Sequence, residues 1–84
     1  MYIVVTYDIS NDKQRNKLAK ELLVFGIRTQ KSFFECEVTE KELKIIKKIL
    51  KKYSQSDDFV TIYQVKVIDR IGDVEYLEID DLIF

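Results

Sequence analysis

The sequence contains no histidine, and Cys36 is its one cysteine. Without histidine, a Ser-His-Asp triad and a Cys-His pair are excluded, and one cysteine cannot supply the ligands of a zinc site. Any catalysis must therefore use carboxylates, Lys, Arg, Tyr or Ser. A lone cysteine also cannot form an internal disulfide, which is typical of proteins from a reducing compartment.

Long apolar runs are absent as well. No stretch approaches the roughly 20 residues of a membrane-spanning helix. There is also no basic segment followed by an apolar one, the pattern that directs secretion. Together with the cysteine usage, these absences lead us to expect a cytoplasmic protein that has no membrane association.

The 84 residues suffice for one domain, residues 1–84. We expect a core over residues 1–67, and a C-terminal strand and acidic tail over 68–84 that contacts a second copy or another partner. Apolar residues make up 46% of the chain, with five Tyr and five Phe among them. Since so short a chain hides only about 60% of its unfolded surface, this content predicts a homodimer.

The charge is balanced overall but uneven along the chain. Fourteen basic against fifteen acidic residues give a net charge of −1, which argues against attraction of the whole surface to nucleic acid. Residues 1–58 hold twelve Lys/Arg and nine Asp/Glu, for +3, whereas 59–84 hold two and six, for −4. A local basic face therefore remains open.

The first third of the chain reads as a strand and a helix. MYIVVTYDI predicts a strand near residues 2–8. Any of residues 10–12 can cap the helix that follows, and Gly26 would give it a left-handed exit. At helical spacing, three lysines form a stripe away from the apolar face: Lys13, Lys17 and Lys20.

The rest of the chain adds strands and a second helix. Residues 27–38 predict one long strand, or two colinear strands split near Lys31–Ser32. In TEKE, Thr39 and Glu42 form a capping box that opens a helix to about Tyr53. FVTIYQVKVI predicts a further strand, and VEYLEIDDLIF, after Gly72, another.

If residues 27–38 make two strands, the order is β-α-β-β-α-β. That order fits an α+β ferredoxin-like sandwich, an antiparallel sheet covered on one face by both helices. The open face would then be buried by a second copy, giving a homodimer through sheet faces. The second helix carries an outer lysine face, which is either solvated or in contact with phosphate: Lys41, Lys44, Lys48, Lys51 and Lys52.

Asp8 is the main functional clue. It ends an apolar strand, where a carboxylate loses water unless it meets a cation, a donor or the surface. It would be explained structurally as the cap of the first helix or as the partner of Arg15. Arg15 lies on the core-facing side of that helix, where its head reaches only the sheet end that carries Asp8. A metal ligand is the functional alternative.

Several short segments, in their order and spacing, resemble the small CRISPR-associated Cas2 family. They are YDI at the end of the first strand, Arg15, FG at 25–26, QKSFFEC at 30–36 and DFVTIY at 58–63. The likeness runs from about Tyr2 to Val67. It implies a ferredoxin-like homodimer that joins the spacer integrase and holds foreign DNA for insertion into a CRISPR array.

The resemblance also implies a metal-dependent nuclease on single-stranded RNA or double-stranded DNA, as described for some members. Carried over by position, Asp8 is the metal ligand, and Arg15 and Ser32 act with it. Phe34 and Asp58 support the site. The plain alternatives are an ion pair for Arg15, a hydroxyl bonded to the backbone for Ser32, and core packing for Phe34.

Magnesium, with manganese as a substitute, is usually held by one or two carboxylates, substrate phosphates and several waters. A two-fold axis near the first-strand ends would bring two copies of Asp8 to one ion. Arg15 or the Ser32 hydroxyl would then position the phosphate. No strong general base is visible in the sequence.

Three functions stay open. The first, which we place ahead of catalysis, is an adaptation scaffold whose basic residues contact DNA phosphates. The second is a metal-dependent endonuclease centred on paired Asp8. The third is a toxin-like ribonuclease of similar fold outside any CRISPR locus. The basic residues expected on DNA are Lys13, Lys17, Lys20, Arg28 and Lys31.

Overall fold

The computed structural model describes residues 1–71 and 74–84, with side chains for 1–66, 79 and 82–84. Strands and helices follow one another in the predicted βαββαβ order, with one strand appended. The predicted boundary at Gly72 lies outside the described residues. The elements are β1 Tyr2–Asp8, α1 Asp12–Leu22, β2 Gly26–Gln30, β3 Phe33–Glu37, α2 Glu40–Tyr53, β4 Phe59–Ile71 and β5 Val74–Leu82.

The described strands form one antiparallel sheet in the order β2-β3-β1-β4-β5. The apolar strand β1 lies in its middle, where Val5 is in register with Phe34 of β3 and with Ile62 of β4. Since side chains alternate between faces, Ile3, Val5 and Tyr7 share one face of β1. All three are buried in the core beneath the helices.

Both helices cover this face. Leu18 and Leu22 of α1 and Ile46 and Leu50 of α2 are fully buried in the same core. By contrast, Leu23, which helical spacing places inward, is 52% exposed, because α1 ends one residue earlier. Neither described helix is long and apolar enough to cross a membrane.

Each helix begins at a polar cap. Asn11 caps α1, its side-chain oxygen accepting a hydrogen bond from the Gln14 N–H at 3.0 Å. The predicted capping box opens α2: the Glu42 N–H donates to Thr39 Oγ1 at 3.2 Å, and the Thr39 N–H donates to Glu42 Oε1 at 3.1 Å. Both caps satisfy amides that lack a partner within the helix.

Two expectations for the region after α1 are wrong. First, β2 and β3 are not colinear: they fold back at Lys31–Ser32 into an antiparallel hairpin. Second, Gly26 is not a left-handed helix exit, since it begins β2. Its lack of a side chain serves close packing instead, because a Cβ there would lie 2.2 Å from the Glu35 carbonyl oxygen.

The C-terminal strands form a ribbon longer than the rest of the sheet. Of β4, only Phe59–Gln64 is in register with β1, whereas its pairing with β5 continues to Ile71. Beyond β5, the Ile83 N–H donates to the Ile62 carbonyl at 2.9 Å. The side chains of Ile83 and Phe84 pack against the core.

The second sheet face carries no helix within the described part of the chain. A row of residues in register crosses this open face, from β2 to β5: Ile27, Glu35, Val4, Tyr63 and Leu82. Glu35 and Val4 are buried and Tyr63 is half-buried, but Ile27 and Leu82 at the ends of the row are each 60% exposed. Phe59, on the same face at the rim, is 73% exposed.

Candidate functional site at the end of β1

Asp8 is the last residue of β1, in register with Phe59. It alternates with the core residues Val5 and Tyr7 and so belongs to the open face. Its side chain is exposed, and it forms no hydrogen bond or ion pair with the side chains described here. Neither structural explanation holds, since Asn11 caps α1 and the ion-pair partner of Arg15 is another residue.

Arg15 binds its own loop and helix. Its Nη1 donates to the Ile9 carbonyl at 3.1 Å, and its Nη2 contacts Asp12 Oδ1 at 2.5 Å. Its side chain is 23% exposed. The expectation that it reaches Asp8 is therefore wrong, because an acid three residues earlier on the same helix captures the guanidinium. What Arg15 does hold is the carbonyl of the residue directly after Asp8.

The β2–β3 turn lies at the same end of the sheet as Asp8. The Tyr7 N–H donates to the Ser32 carbonyl at 3.3 Å, so the backbone of Ser32, the predicted phosphate contact, is fixed to the strand end. The Tyr7 hydroxyl contacts the Lys31 carbonyl at 3.4 Å, and its ring stacks on Phe34 at 6.2 Å. Phe34 is fully buried, in agreement with its packing role.

The guanidinium of Arg28 is engaged at this turn. Its Nε donates to the Lys31 carbonyl at 2.9 Å, and its Nη2 donates to the same oxygen. Its Cζ lies 5.8 Å from the centre of the Phe34 ring, within the range of a cation–π contact. Burial raises the pKa of Tyr7, and the charges of Arg28 and Arg15 lower it in part. Arg28 thus stabilises the hairpin and is not a freely projecting cation.

Asp58 joins the two loops that flank Asp8 and its partner strand. Its Oδ1 accepts from the Ser10 N–H at 3.2 Å and from Ser10 Oγ at 3.3 Å, and its Oδ2 accepts from the Gln55 N–H at 2.8 Å. The bond from Gln55, followed by those from Ser10, holds the pKa of Asp58 below its usual range. Sequence reasoning missed Ser10 as its partner: the SNDK segment signals a helix start, not a contact with a residue 48 positions away.

The lysine stripe of α1 is present as predicted. Lys13, Lys17 and Lys20 are exposed, and none forms an ion pair with a described residue. The lysines of the outer face of α2 are also exposed, and one of them, Lys52, lies 5.0 Å from the ring centre of Tyr53. The two helices therefore present positive charge on the helix-covered side of the sheet, whereas Asp8 belongs to the open face.

A complete metal site is not formed by the described part of one protomer, where no three potential ligands cluster. The donor that is present nevertheless fits magnesium, which needs only one or two carboxylates beside phosphates and waters. Asp8 is open to solvent and free of competing cations among the described residues. Such a site would need a phosphate, water or a second carboxylate to complete it.

Comparison with known sequences decides the family. The sequence pattern of the family described as CRISPR associated protein Cas2 matches residues 1–69. The chain belongs to the Cas2 family. The resemblance seen in the short sequence segments is thereby confirmed, and the match includes Asp8, the β2–β3 turn and Asp58.

Relatives and solved structures agree with this. The CRISPR-associated endoribonuclease Cas2 1 of Moorella thermoacetica is 36% identical over 72 residues, covering 79% of this chain and 75% of that protein. A crystal structure of Streptococcus pyogenes Cas2 has a TM-score of 0.72 at 32% identity, covering 79% and 87%. A hypothetical protein from Thermus thermophilus reaches 0.79 at 32% identity, covering 92% and 96%. The α+β fold is thus that of Cas2 structures.

Proposed function

We propose that this Cas2 protein acts in CRISPR adaptation as a homodimer that joins the spacer integrase and holds DNA for spacer acquisition. The lysine stripe of α1 supports this proposal most directly: Lys13, Lys17 and Lys20 are exposed and have no ion-pair partner in the described chain. Lysines contact phosphates without reading sequence. Lys31, exposed at the β2–β3 turn, adds a charge at the sheet end.

The test is duplex DNA binding by a variant in which Lys13, Lys17 and Lys20 are all Gln. Loss of three phosphate contacts should make the negative slope of log K against log salt shallower by about 2–3. It should also weaken the binding of every DNA sequence alike. The matched control replaces Lys44, Lys48 and Lys51 of α2 by Gln, the same charge change on the neighbouring helix. An equal loss in both variants would mean that the lysines of both helices contribute alike and that α1 is not the specific DNA-binding element.

The homodimer is supported by the open face. Ile27, Phe59 and Leu82 lie on it at separate places and are more than half exposed, so this face offers apolar side chains whose burial against another surface would be favourable. A second copy stacked face to face would cover them around a two-fold axis. An axis passing near the β1 ends would also bring the two Asp8 side chains together.

A second candidate, an endonuclease dependent on Mg²⁺ or Mn²⁺, is favoured by Asp8 itself. The carboxylate is exposed and bound to no described side chain, so it is accessible to a cation from solvent. The Moorella thermoacetica relative is named an endoribonuclease, which makes single-stranded RNA the first substrate to try and duplex DNA the second. A bound cation would supply charge neutralisation of the phosphodiester and an activated water.

In this candidate the other residues act around Asp8. The Ser32 hydroxyl orients the phosphate from the β2–β3 turn. Arg15 holds the Ile9 carbonyl and so acts through the backbone next to Asp8. Phe34 and Asp58 support the two loops. The absence of a strong general base predicts slow turnover.

The test compares wild type, Asp8→Asn and Asp57→Asn on labelled single-stranded RNA and duplex DNA, with Mg²⁺ or EDTA. Asp57→Asn is the matched control, since Asp57 is also an exposed acid. Loss of cleavage in Asp8→Asn and in EDTA, with Asp57→Asn unchanged, establishes the enzyme and names its substrate. Equal activity in wild type and Asp8→Asn points to a contaminating nuclease and leaves the DNA-holding role alone.

A further inference from the structure

The pairing of Asp8 with Phe59 is the last rung of the β1–β4 ladder, and packing holds its two sides unequally. On β1, Tyr7 and Ile9 on either side of Asp8 are buried in the core, whereas on β4 Phe59 is 73% exposed at the start of its strand. Unpacked strand ends open readily, at a free-energy cost far below that of global unfolding. A metal ligand needs a fixed geometry, and the β4 side of this rung therefore needs a restraint other than packing.

That restraint is the Asp58 carboxylate. Asp58 directly precedes Phe59, and Ser10 follows Asp8 by two residues. The two bonds from Ser10 to Oδ1, at 3.2 and 3.3 Å, therefore tie together the chain just beyond each member of the rung. Bonds to a charged acceptor are stronger than neutral ones.

The carboxylate is itself held rigidly. The Gln55 N–H donates to Asp58 Oδ2 at 2.8 Å, and the Asp58 N–H donates to the Gln55 carbonyl at 2.9 Å. These reciprocal bonds close the turn between α2 and β4. Through its hydrogen bonds, Asp58 thus ties the segment after β1 to the closed turn before β4.

We propose that Asp58 is a positioning residue that fixes the Asp8 rung for reaction, and that Ser10 is the residue through which it acts. The inference rests on the proposed endonuclease function. Asp58 does not bind the metal or the substrate in this account. Its removal loosens Asp8, and a displacement of about 1 Å in a catalytic group lowers a rate by up to about 100-fold.

The experiment measures single-stranded RNA cleavage by Asp58→Ala, Ser10→Ala and Asp57→Ala with saturating Mn²⁺. We expect Asp58→Ala to lower kcat about 10- to 100-fold with KM within about two-fold, because the substrate surface is intact. Ser10→Ala loses one of the three hydrogen bonds to the Asp58 carboxylate, so its kcat should fall by less than that of Asp58→Ala. Asp58→Asn keeps one acceptor oxygen and should recover part of kcat. Asp57→Ala removes the same charge one residue away and should match wild type.

Two readouts separate positioning from general damage. Rates are compared well below the lowest midpoint of thermal unfolding in the set, so that a merely destabilised variant keeps its kcat. Amide exchange should accelerate at Asp8, Ser10 and Phe59 in Asp58→Ala but not in Asp57→Ala. If Asp58→Ala and Asp57→Ala have equal kcat while Asp8→Asn is inactive, the inference is wrong and the endonuclease stands.

If Asp8→Asn keeps full activity, the endonuclease proposal fails. Amide exchange alone then tests whether Asp58 fixes the rung. Faster exchange at these three residues in Asp58→Ala then upholds Asp58 as the residue that fixes the rung. Exchange equal to that of Asp57→Ala overturns it. The two failures are therefore distinguished by different variants.

Discussion

Gly26 is a residue at which two strands approach each other closely beside the core. A Cβ added there would lie 2.2 Å from the Glu35 carbonyl oxygen, 2.6 Å from Cys36 Sγ and 2.9 Å from Cys36 Cα. Two of these atoms belong to the backbone of β3, so a rotamer change cannot relieve the contact. The hairpin would have to separate.

We therefore expect Gly26→Ala to destabilise the protein by roughly 2–4 kcal/mol. Urea unfolding measures this directly. Val24→Ala, two residues away and 81% exposed in wild type, should stay within about 0.5 kcal/mol. Equal midpoints for the two variants would show that β2 and β3 tolerate separation.

Cys36 is buried beside this glycine, and burial, with a contribution from Glu35, raises the pKa of its thiol to about 11. The folded state therefore keeps the proton at a pH where the unfolded chain has lost it. The thiol's contribution to stability is complete below the unfolded pKa of about 8.5–9 and is lost as pH rises toward 11.

We expect the stability of wild type, relative to Cys36→Ala, to fall by about 2 kcal/mol between pH 8 and 10.5. Denaturant unfolding of both proteins at several pH values measures the difference, and the alanine variant removes the titrations common to both. A difference independent of pH would mean that the thiol ionises freely in the folded protein. The same burial predicts slow labelling of Cys36 at pH 8 until the protein unfolds.

For single residues, the sequence predicts the place in the fold better than it predicts the hydrogen-bond or ion-pair partner. Asp8 lies at a strand end because an apolar run stops there, which is visible locally. Either Asp8 or Asp12 could pair with Arg15, and residue spacing alone does not show that Asp12 is the partner. The bond between Ser10 and Asp58 joins residues far apart in the chain, and no local pattern encodes it.

Among the elements, α2 has the strongest sequence signal. Its capping box is formed by Thr39 and Glu42, its first turn is acidic, and Lys51 and Lys52 lie in its last turn, as the helix dipole favours. The hairpin has a weaker signal: the mixed faces predict a split at Lys31–Ser32, but without Gly, Pro, Asn or Asp there the sequence does not show that the chain reverses direction. The two-strand alternative followed from the mixed faces of residues 27–38, and the antiparallel arrangement from the β-α-β-β-α-β order.

The cap of α2 gives a prediction for an element. Thr39→Ala removes the acceptor for the Glu42 N–H and should cost about 1 kcal/mol of stability. Thr39→Ser keeps the hydroxyl and should lie close to wild type. Thermal or urea unfolding compares the three proteins, and a Thr39→Ala variant as stable as Thr39→Ser would show that tertiary packing alone fixes the start of α2.

For the whole molecule, composition anticipated an apolar surface that one protomer leaves exposed, and the open face supplies one. Its extent could not be read from the sequence, since the faces of β2 and β3 depend on the register at their turn. The position of a two-fold axis is likewise not encoded in one chain's pattern. The distance between two Asp8 side chains is therefore set by how two copies assemble.

The proposed homodimer predicts that Ile27→Asp shifts the protein toward monomer, because a carboxylate would be buried opposite another copy. We expect at least a ten-fold rise in the dimer dissociation constant by sedimentation velocity. Val24→Asp introduces the same charge at a more exposed site outside the strands and should leave the dimer intact. Equal behaviour of both variants would exclude the open face as the interface.

The central place of β1 has a consequence for synthesis. This strand leaves the ribosome before its sheet neighbours β3 and β4, and its pairing with β4 is complete only when Gln64 has emerged. The capped helix α2 can form from local contacts while β1 is still waiting. Since β3 emerges before α2, β1 lacks only its β4 partner during that interval, and this open edge is where a chaperone would act.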